Sequence, residues 1–500
     1  MNLLKTEKLY SGIRLGYIIT VILYSLARQN ITALQPYLMG DVLNLAVIGI
    51  AALLVLWDAV IFRNIWKTKY IWLLAAFGVL TVISSFAGFR YGYVENIKAI
   101  ANLFIQFCLL FVVGITKTVR DIKKEVRIIG NCVGAAWFVA ALISVFMYFA
   151  DISYTQNRYL WGETTEIVQG FVHKHFGHVV MRLWGIFVDP NFASAICIVV
   201  ICLSLFVILN SKNKAEKIFH TVNIVLQYLY VVLSNSRMGL LILCLTSFAA
   251  AWYYVFIFIG RKKFHFIVKE IICIALALVF TVACYVSVQL TKTVLPYVRY
   301  GIELVTSGEK DNSEEKVTAE ADISSDEADM TGKKPSSAAD NEQPSVEKLD
   351  RQDVVTKSDV SNGRFSLWKE GLVTVFRGNE LFGVGPRNYH AVAKEVNPET
   401  KISTGYSIHN SFVELLMGNG IAGTLIMLLF LALAASDAVK ARYIRPRNAE
   451  SAGILMAGVL SLLACGMFIA CLFYTLSGAA VIMFVLLGYG VRLCSCNEAE

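Results

Sequence analysis

Between Gly405 and Gly423 the chain reads GYSIHNSFVELLMGNGIAG, which sets a histidine, an asparagine and a carboxylate (His409, Asn410, Glu414) at the mouth of an apolar run. Polar groups placed there are costly, which marks them as candidates for function. A neutral imidazole at His409 can take a proton from a hydroxyl near working pH. Glu414 stands at i+5, too far round a helix for contact with His409 to be assured. Three arginines stand out in other segments. Arg182 lies in RLWGIFVDPN, ahead of a helix start marked by Asp189, Pro190 and Asn191. Arg237 lies in VLSNSRMGLL, a tight polar break between apolar runs. Arg364 opens an amphipathic segment, GRFSLWKEG, with Trp368 one turn on and on the same face.

These residue types suit one kind of chemistry. The planar guanidinium fork matches the oxygens of phosphate and pyrophosphate. A pyrophosphate gains charge as its bond breaks, and fixed cations aimed at it lower that barrier. A hydroxyl acceptor needs a base, and His409 is the available one. Each residue also has a plain structural reading. Arg182 could snorkel beside Trp184 as an interfacial anchor, Arg237 could belong to a simple hairpin turn, and Arg364 could be a solvated helix end. No DxD pair, HExxH or phosphate-binding loop stands beside these residues, so neither a metal nor a cofactor is expected.

The elements that must position them are membrane helices. The chain has 500 residues, 56% hydrophobic and 16% charged, where a soluble domain carries about a quarter charged. Apolar runs long enough to cross a bilayer recur near 15–34, 43–62, 70–88, 98–115, 129–150, 190–209, 217–233, 239–259, 270–290, 411–435, 452–472 and 475–492. The expected fold is therefore all-α and polytopic, with about twelve spans and a large extracytoplasmic loop before the tenth. Lys5, Lys8 and Arg14 precede the first run with no cleavage site after it, so that helix is expected to remain as an anchor. With the N-terminus cytoplasmic, the connections Arg63–Lys69, Lys117–Arg127, Lys212–Lys217, Arg261–Lys269 and Lys440–Arg447 are basic and all fall inside. That orientation accounts for the net charge of +8 without a nucleic-acid partner. The eleven cysteines fall almost wholly within expected spans, which leaves no external disulfide framework.

Four regions follow. Residues 1–150 hold the N-terminal helices, and 151–290 hold the central helices with the arginine-bearing outer connections. Residues 291–409 form the large outer loop, and 410–500 hold the C-terminal helices. Within the loop, 307–361 is acidic and low in aromatics, the composition of a disordered insert. Residues 363–409 read as a small helical subdomain, broken by a turn at Gly383, Gly385 and Pro386.

At these motifs the chain resembles the O-antigen ligase and O-antigen polymerase superfamily of bacterial envelope proteins. RLWGIFVDPNFAS, SNSRMG, GRFSLWKEGLVTVFRGNELFGVGPRNY and HNSFVELLMGNGIAG appear in family order between Arg182 and Gly423. The resemblance implies an inverting, metal-independent glycosyltransferase of the bacterial cytoplasmic membrane, with its active site on the extracytoplasmic side. It implies a donor glycan on undecaprenyl pyrophosphate, a hydroxyl acceptor on a glycan or lipid, surrounding membrane lipids, and contact with other polysaccharide-assembly proteins. Carried over by motif, Arg182 and Arg237 hold the pyrophosphate and Arg364 assists in placing donor or acceptor. His409 is the base, supported by Asn410, Glu414 and Trp368. The rival class is a multi-span transporter or flippase for lipid-linked oligosaccharide. That reading expects ionisable residues in the middle of spans, where this sequence has few.

Overall fold

The computed structural model describes residues 3–112, 117–160, 163–175, 178–259, 265–314, 349, 351, 363–444 and 446–495. Inside a bilayer each backbone N–H and C=O must be satisfied within the protein, and long apolar runs meet that demand as helices. In chain order these are α1 (Leu3–Asn30), α2 (Asp41–Trp57), α3 (Ile71–Ala87), α4 (Val94–Ile105) and α5 (Val119–Phe149). After a sheet come α6 (Pro190–Asn210), α7 (Lys214–Leu233), α8 (Arg237–Ile259) and α9 (Phe266–Glu314). Two shorter helices, α10 (Arg364–Gly378) and α11 (Tyr389–Val396), precede α12 (Ser411–Ile444), α13 (Pro446–Gly466) and α14 (Gly478–Ser495).

Among the described residues, ten helices are long and apolar enough to cross a membrane. The expected twelve are not reached by that measure. Helix α3 has 17 residues, and α7 carries Lys214, Glu216, Lys217, His220, Asn223 and Gln227 along its length. The α7 histidine bonds inside the bundle: His220 Nδ1 meets Ser204 Oγ at 3.0 Å and its Nε2 meets Asn131 Oδ1 at 2.8 Å. This ionisable group within an expected span is thus part of the helix packing.

The chain is not purely helical. Strands β1 (Ser153–Leu160), β2 (Glu163–His175) and β3 (His178–Gly185) form an antiparallel sheet in the order β1-β2-β3. The local pattern explains it: β-branched residues are frequent, and Glu166 and Val168 are exposed while Ile167 and Gln169 are buried, a period of two. Helix α9 runs beyond membrane thickness to reach this sheet, where Arg299 pairs with Asp151 at 3.0 Å and lies over the Phe171 ring. It continues to Glu314, so residues 307–314 of the expected insert are helical. Leu349 is buried and the Arg351 Nη1 donates to the Asn235 carbonyl at 2.9 Å, so this part of the insert is anchored. The remainder of 307–361 lies outside the described residues, apart from these two positions. The ten cysteines among the described residues are free. Because α13 ends at Gly466, Cys471 falls in the connection to α14 and not in a span.

Helix α12 is broken within its apolar length, with Gly420 in a non-helical conformation (φ 62°, ψ −167°). The turn at 380–385 fills the break. Val384 and Gly385 donate to the carbonyls of Met417 and Gly418 at 3.0 and 3.1 Å. Ile421 and Ala422 donate to the carbonyls of Glu380 and Leu381 at 2.8 and 3.1 Å. Ser84 of α3 donates to the Gly418 carbonyl and accepts from the Gly385 N–H at 2.8 Å. A Cβ at Gly383 would stand 2.5 Å from the Gly418 oxygen, and one at Gly420 would overlap the Leu381 carbonyl. Leu367, Val375, Tyr389, Val392 and Ile408 share a small apolar core with Met417 of α12.

The interlock yields a stability prediction. Gly420→Ala and Gly383→Ala should each destabilise the fold by at least about 2 kcal/mol, since that backbone conformation excludes side chains. The measure is the thermal midpoint and monodisperse yield of purified protein in detergent; a wild-type midpoint for either variant would contradict the interlock.

Candidate functional site

The site is built where one end of the helix bundle meets α10 and the sheet. Arg182 comes from β3, and the chain then turns through Phe187 into α6, whose Asp189 cap accepts from the Asn191 N–H at 2.8 Å. The end of α1 pins that turn: Thr32 donates to the Ile186 carbonyl at 3.0 Å and Val188 to the Asn30 carbonyl at 2.8 Å. Arg182 is 9% exposed. Its Nε donates to the Ser234 carbonyl at 2.8 Å and its Nη2 to Asn191 Oδ1 at 2.6 Å. The same Asn191 oxygen accepts from Ser236 Oγ at 2.8 Å. Arg182 and the Ser234–Arg237 turn are therefore joined through one amide.

That turn starts α8, with Gly239 N–H donating to Ser236 Oγ at 2.9 Å. Arg237 is its first residue, where the helix dipole adds partial positive charge. Arg364 likewise opens α10. Arg237 and Arg364 line one cavity of about 230 Å³ with Met238, Leu241, Phe365, Trp368 and Phe468. Arg364 sits over the Phe468 ring at 5.9 Å. The Trp368 Nε1–H is buried and meets no acceptor among the described residues. Two cations on an apolar, aromatic wall suit a ligand that is anionic at one end and hydrocarbon at the other. Arg182 does not line this space; its guanidinium braces the turn that carries Arg237.

His409 stands just before α12 with a left-handed backbone (φ 50°). Asn410 caps the helix, its Oδ1 accepting from Phe412 and Val413 N–H at 2.8 and 3.1 Å. Burial lowers the His409 pKa below its ordinary value, the Arg364 cation lowers it further, and the Asp189 carboxylate opposes both. Burial also lowers the pKa of Arg364, with Asp189 opposing and Arg237 adding to the shift. Arg364 thus lies within electrostatic reach of Arg237, Asp189 and His409, although they come from α8, the start of α6 and the start of α12. The His409 ring is a neutral acceptor near neutral pH.

Glu414 is 2% exposed and does not pair with His409. Arg387 donates to its Oε1 at 3.2 Å and to the Tyr474 carbonyl at 3.1 Å. Arg387 escaped the sequence reading; the available signal was a cation directly after the Gly-Val-Gly-Pro turn. Phe468 escaped it too, because the connection after α13 was placed inside a span. Among the described residues no group of three or more His, Cys, Asp or Glu could hold a metal.

A polytopic membrane protein with an arginine-lined, amphipathic cavity and a half-buried histidine within electrostatic reach of it is the class that fold and site define. Residues 222–428 match the family described as O-Antigen ligase, which supports the resemblance to the O-antigen ligase and polymerase superfamily. The matched stretch contains Arg237, Arg364, His409 and Glu414, and begins after Arg182. No curated protein matches the chain. The family is one of membrane enzymes that transfer glycan in surface polysaccharide assembly, seated as multi-pass proteins in the bacterial inner membrane.

The opposed influences on His409 give a pH prediction. Asp189 favours the imidazolium, so Asp189→Asn, which keeps a capping side chain, should lower the His409 pKa. The acid limb of kcat/KM should then move to lower pH in Asp189→Asn than in the wild type. A limb that stays fixed or moves up would separate Asp189 from His409.

Proposed function

We propose that the protein transfers a glycan from undecaprenyl pyrophosphate to an acceptor hydroxyl, with inversion and without a metal, on the outer face of the bacterial cytoplasmic membrane. The observation that carries this reading is the shared cavity of Arg237 and Arg364 next to His409. The acceptor oxygen attacks the anomeric carbon of the donor sugar. The bond from that carbon to the pyrophosphate oxygen breaks, and the lipid pyrophosphate leaves with the electron pair. His409 takes the proton from the acceptor hydroxyl. Arg237 and Arg364, at two helix starts, meet the charge that develops on the leaving group. Arg182 acts as a positioning residue through Asn191 and the Ser234 carbonyl.

The ion pairs at the opposite end of the bundle support the orientation. Lys69–Asp437, Lys117–Glu125 and Arg442–Glu270 lie there at 2.5, 3.1 and 2.7 Å, on the basic connections assigned to the cytoplasm. Chain polymerisation and terminal ligation share this donor chemistry, and the matched family favours ligation.

His409→Ala should lower transfer by about 10³-fold. Cells carrying it should accumulate single lipid-linked units at the outer face and lack long or ligated glycan. Units retained on the inner face would instead indicate a flippase. Arg237→Lys keeps the charge and loses the fork, so kcat/KM should fall about 100-fold; near-normal glycan would remove Arg237 from pyrophosphate binding.

A further inference from the structure

At the end of the bundle assigned to the cytoplasm, Arg442 near the end of α12 is only 2% exposed. Its Nη2 donates to Glu270 Oε1 of α9 at 2.7 Å and to the Tyr443 hydroxyl at 2.9 Å. Its Nε and Nη1 are buried and meet no acceptor among the described residues. The Glu270 carboxylate is already occupied: Oε1 also accepts from the Tyr443 hydroxyl, and Oε2 accepts from Trp252 Nε1 at 3.0 Å. The guanidinium lies over the rings of Trp252 and Phe256 of α8, at 3.8 and 4.1 Å. Those rings meet the charge. The two nitrogens still lack an acceptor, and a buried donor without one is costly.

Trp252 also forms a wall of a cavity of about 190 Å³. Tyr253 of α8, Ala435, Ala438 and Val439 of α12, and Met456 of α13 line it, and no charged residue does. Ala438 and Val439 stand one turn before Arg442, so the cavity reaches the turn of α12 that carries the guanidinium. Ala435 is exposed and Val439 and Met456 are half-buried, so the cavity opens on the surface that the bilayer covers.

The charges at this end are unequal. Lys269, Lys440 and Arg442 stand on the described helix ends against Glu270 and Glu450, while Asp437 is taken by Lys69 at 2.5 Å. The Arg442–Glu270 pair joins the end of α12 to the start of α9. In the sequence, the segment between α8 and α9 and the junction of α12 with α13 add Arg261, Lys262, Lys263, Arg445 and Arg447. The retention of cations on the inner side explains those segments. It does not explain a guanidinium withdrawn from water, with two nitrogens unmet, beside an apolar cavity.

We propose that this place binds an anionic phospholipid of the inner leaflet. The phosphate accepts from Arg442 Nε and Nη1, and an acyl chain enters the cavity beside Trp252. The excess of cations selects a headgroup with net negative charge, as basic pockets between membrane helices do on the cytoplasmic side. The site shares no residue with the Arg237–Arg364 cavity, and the inference stands independently of the transfer reaction.

The test titrates the delipidated full-length protein in detergent with phosphatidylglycerol or phosphatidylcholine of the same chains, and reads the affinity of the first bound lipid by native mass spectrometry. Wild type should bind phosphatidylglycerol at least about tenfold more tightly than phosphatidylcholine. Arg442→Gln/Glu270→Gln, which removes two opposite charges together, should abolish that preference. Ala435→Trp, which fills the cavity from an exposed position and leaves every charge in place, should weaken phosphatidylglycerol about tenfold. Equal affinity for the two lipids in the wild type would overturn the proposal, as would phosphatidylglycerol binding that is unchanged in whichever variant folds. Glycerol phosphate at the same concentration should leave the lipid in place; its displacement would overturn the lipid character of the site.

Discussion

The arrangement depends on a helix that is broken inside the membrane and repaired by another part of the chain. At Gly420, α12 leaves two carbonyls and two N–H groups without their helical partners, and in hydrocarbon each would cost several kcal/mol. The 380–385 turn supplies all four partners, and Ser84 of α3 ties both sides together. Gly383 and Gly420 are small because the two backbones meet there. The interlock fixes the segment from 363 to 409 against the bundle, and with it Arg364, Arg387 and His409.

From that fixed point the chemistry is a matter of convergence. Asn191 couples Arg182 to the Ser234–Arg237 turn through a single oxygen. The turn and α10 then bring Arg237 and Arg364 to one wall of an apolar cavity. Two cations this close repel, and the Asp189 carboxylate offsets part of the repulsion. A bound pyrophosphate would offset the rest, which is the physical reason to read the pair as an anion site. Burial, and after it the Arg364 cation, lowers the His409 pKa, which favours the neutral ring that can accept a proton. Capping at Asn410 and the Ser411 hydrogen bonds fix the start of α12, next to His409.

Much of this was legible in the sequence because membrane helices declare themselves by length and hydropathy, and because Arg237, Arg364 and His409 stand at polar breaks between such runs. The sheet was hidden among aromatic residues in a connection whose period-two pattern spans only a few positions at Ile167–Gln169. Helix α7 falls short of the hydropathy of the other spans because amides and a histidine lie along it and bond inside the bundle. The brace formed by Arg182 could not be foreseen, since its partners lie 9 and 52 residues away. Arg387 and its pairing with Glu414 depend on the same interlock, which local pattern does not encode. The anchoring of Leu349 and Arg351 at Asn235 was masked by the acidic composition around them.

The most direct measurement is a cryo-EM map of the full-length protein in nanodiscs with undecaprenyl pyrophosphate bound. The account predicts the diphosphate within about 3 Å of both the Arg237 and Arg364 guanidinium groups, with the His409 ring facing the terminal phosphate. A diphosphate held elsewhere, with Arg364 and His409 turned away from it, would contradict the account.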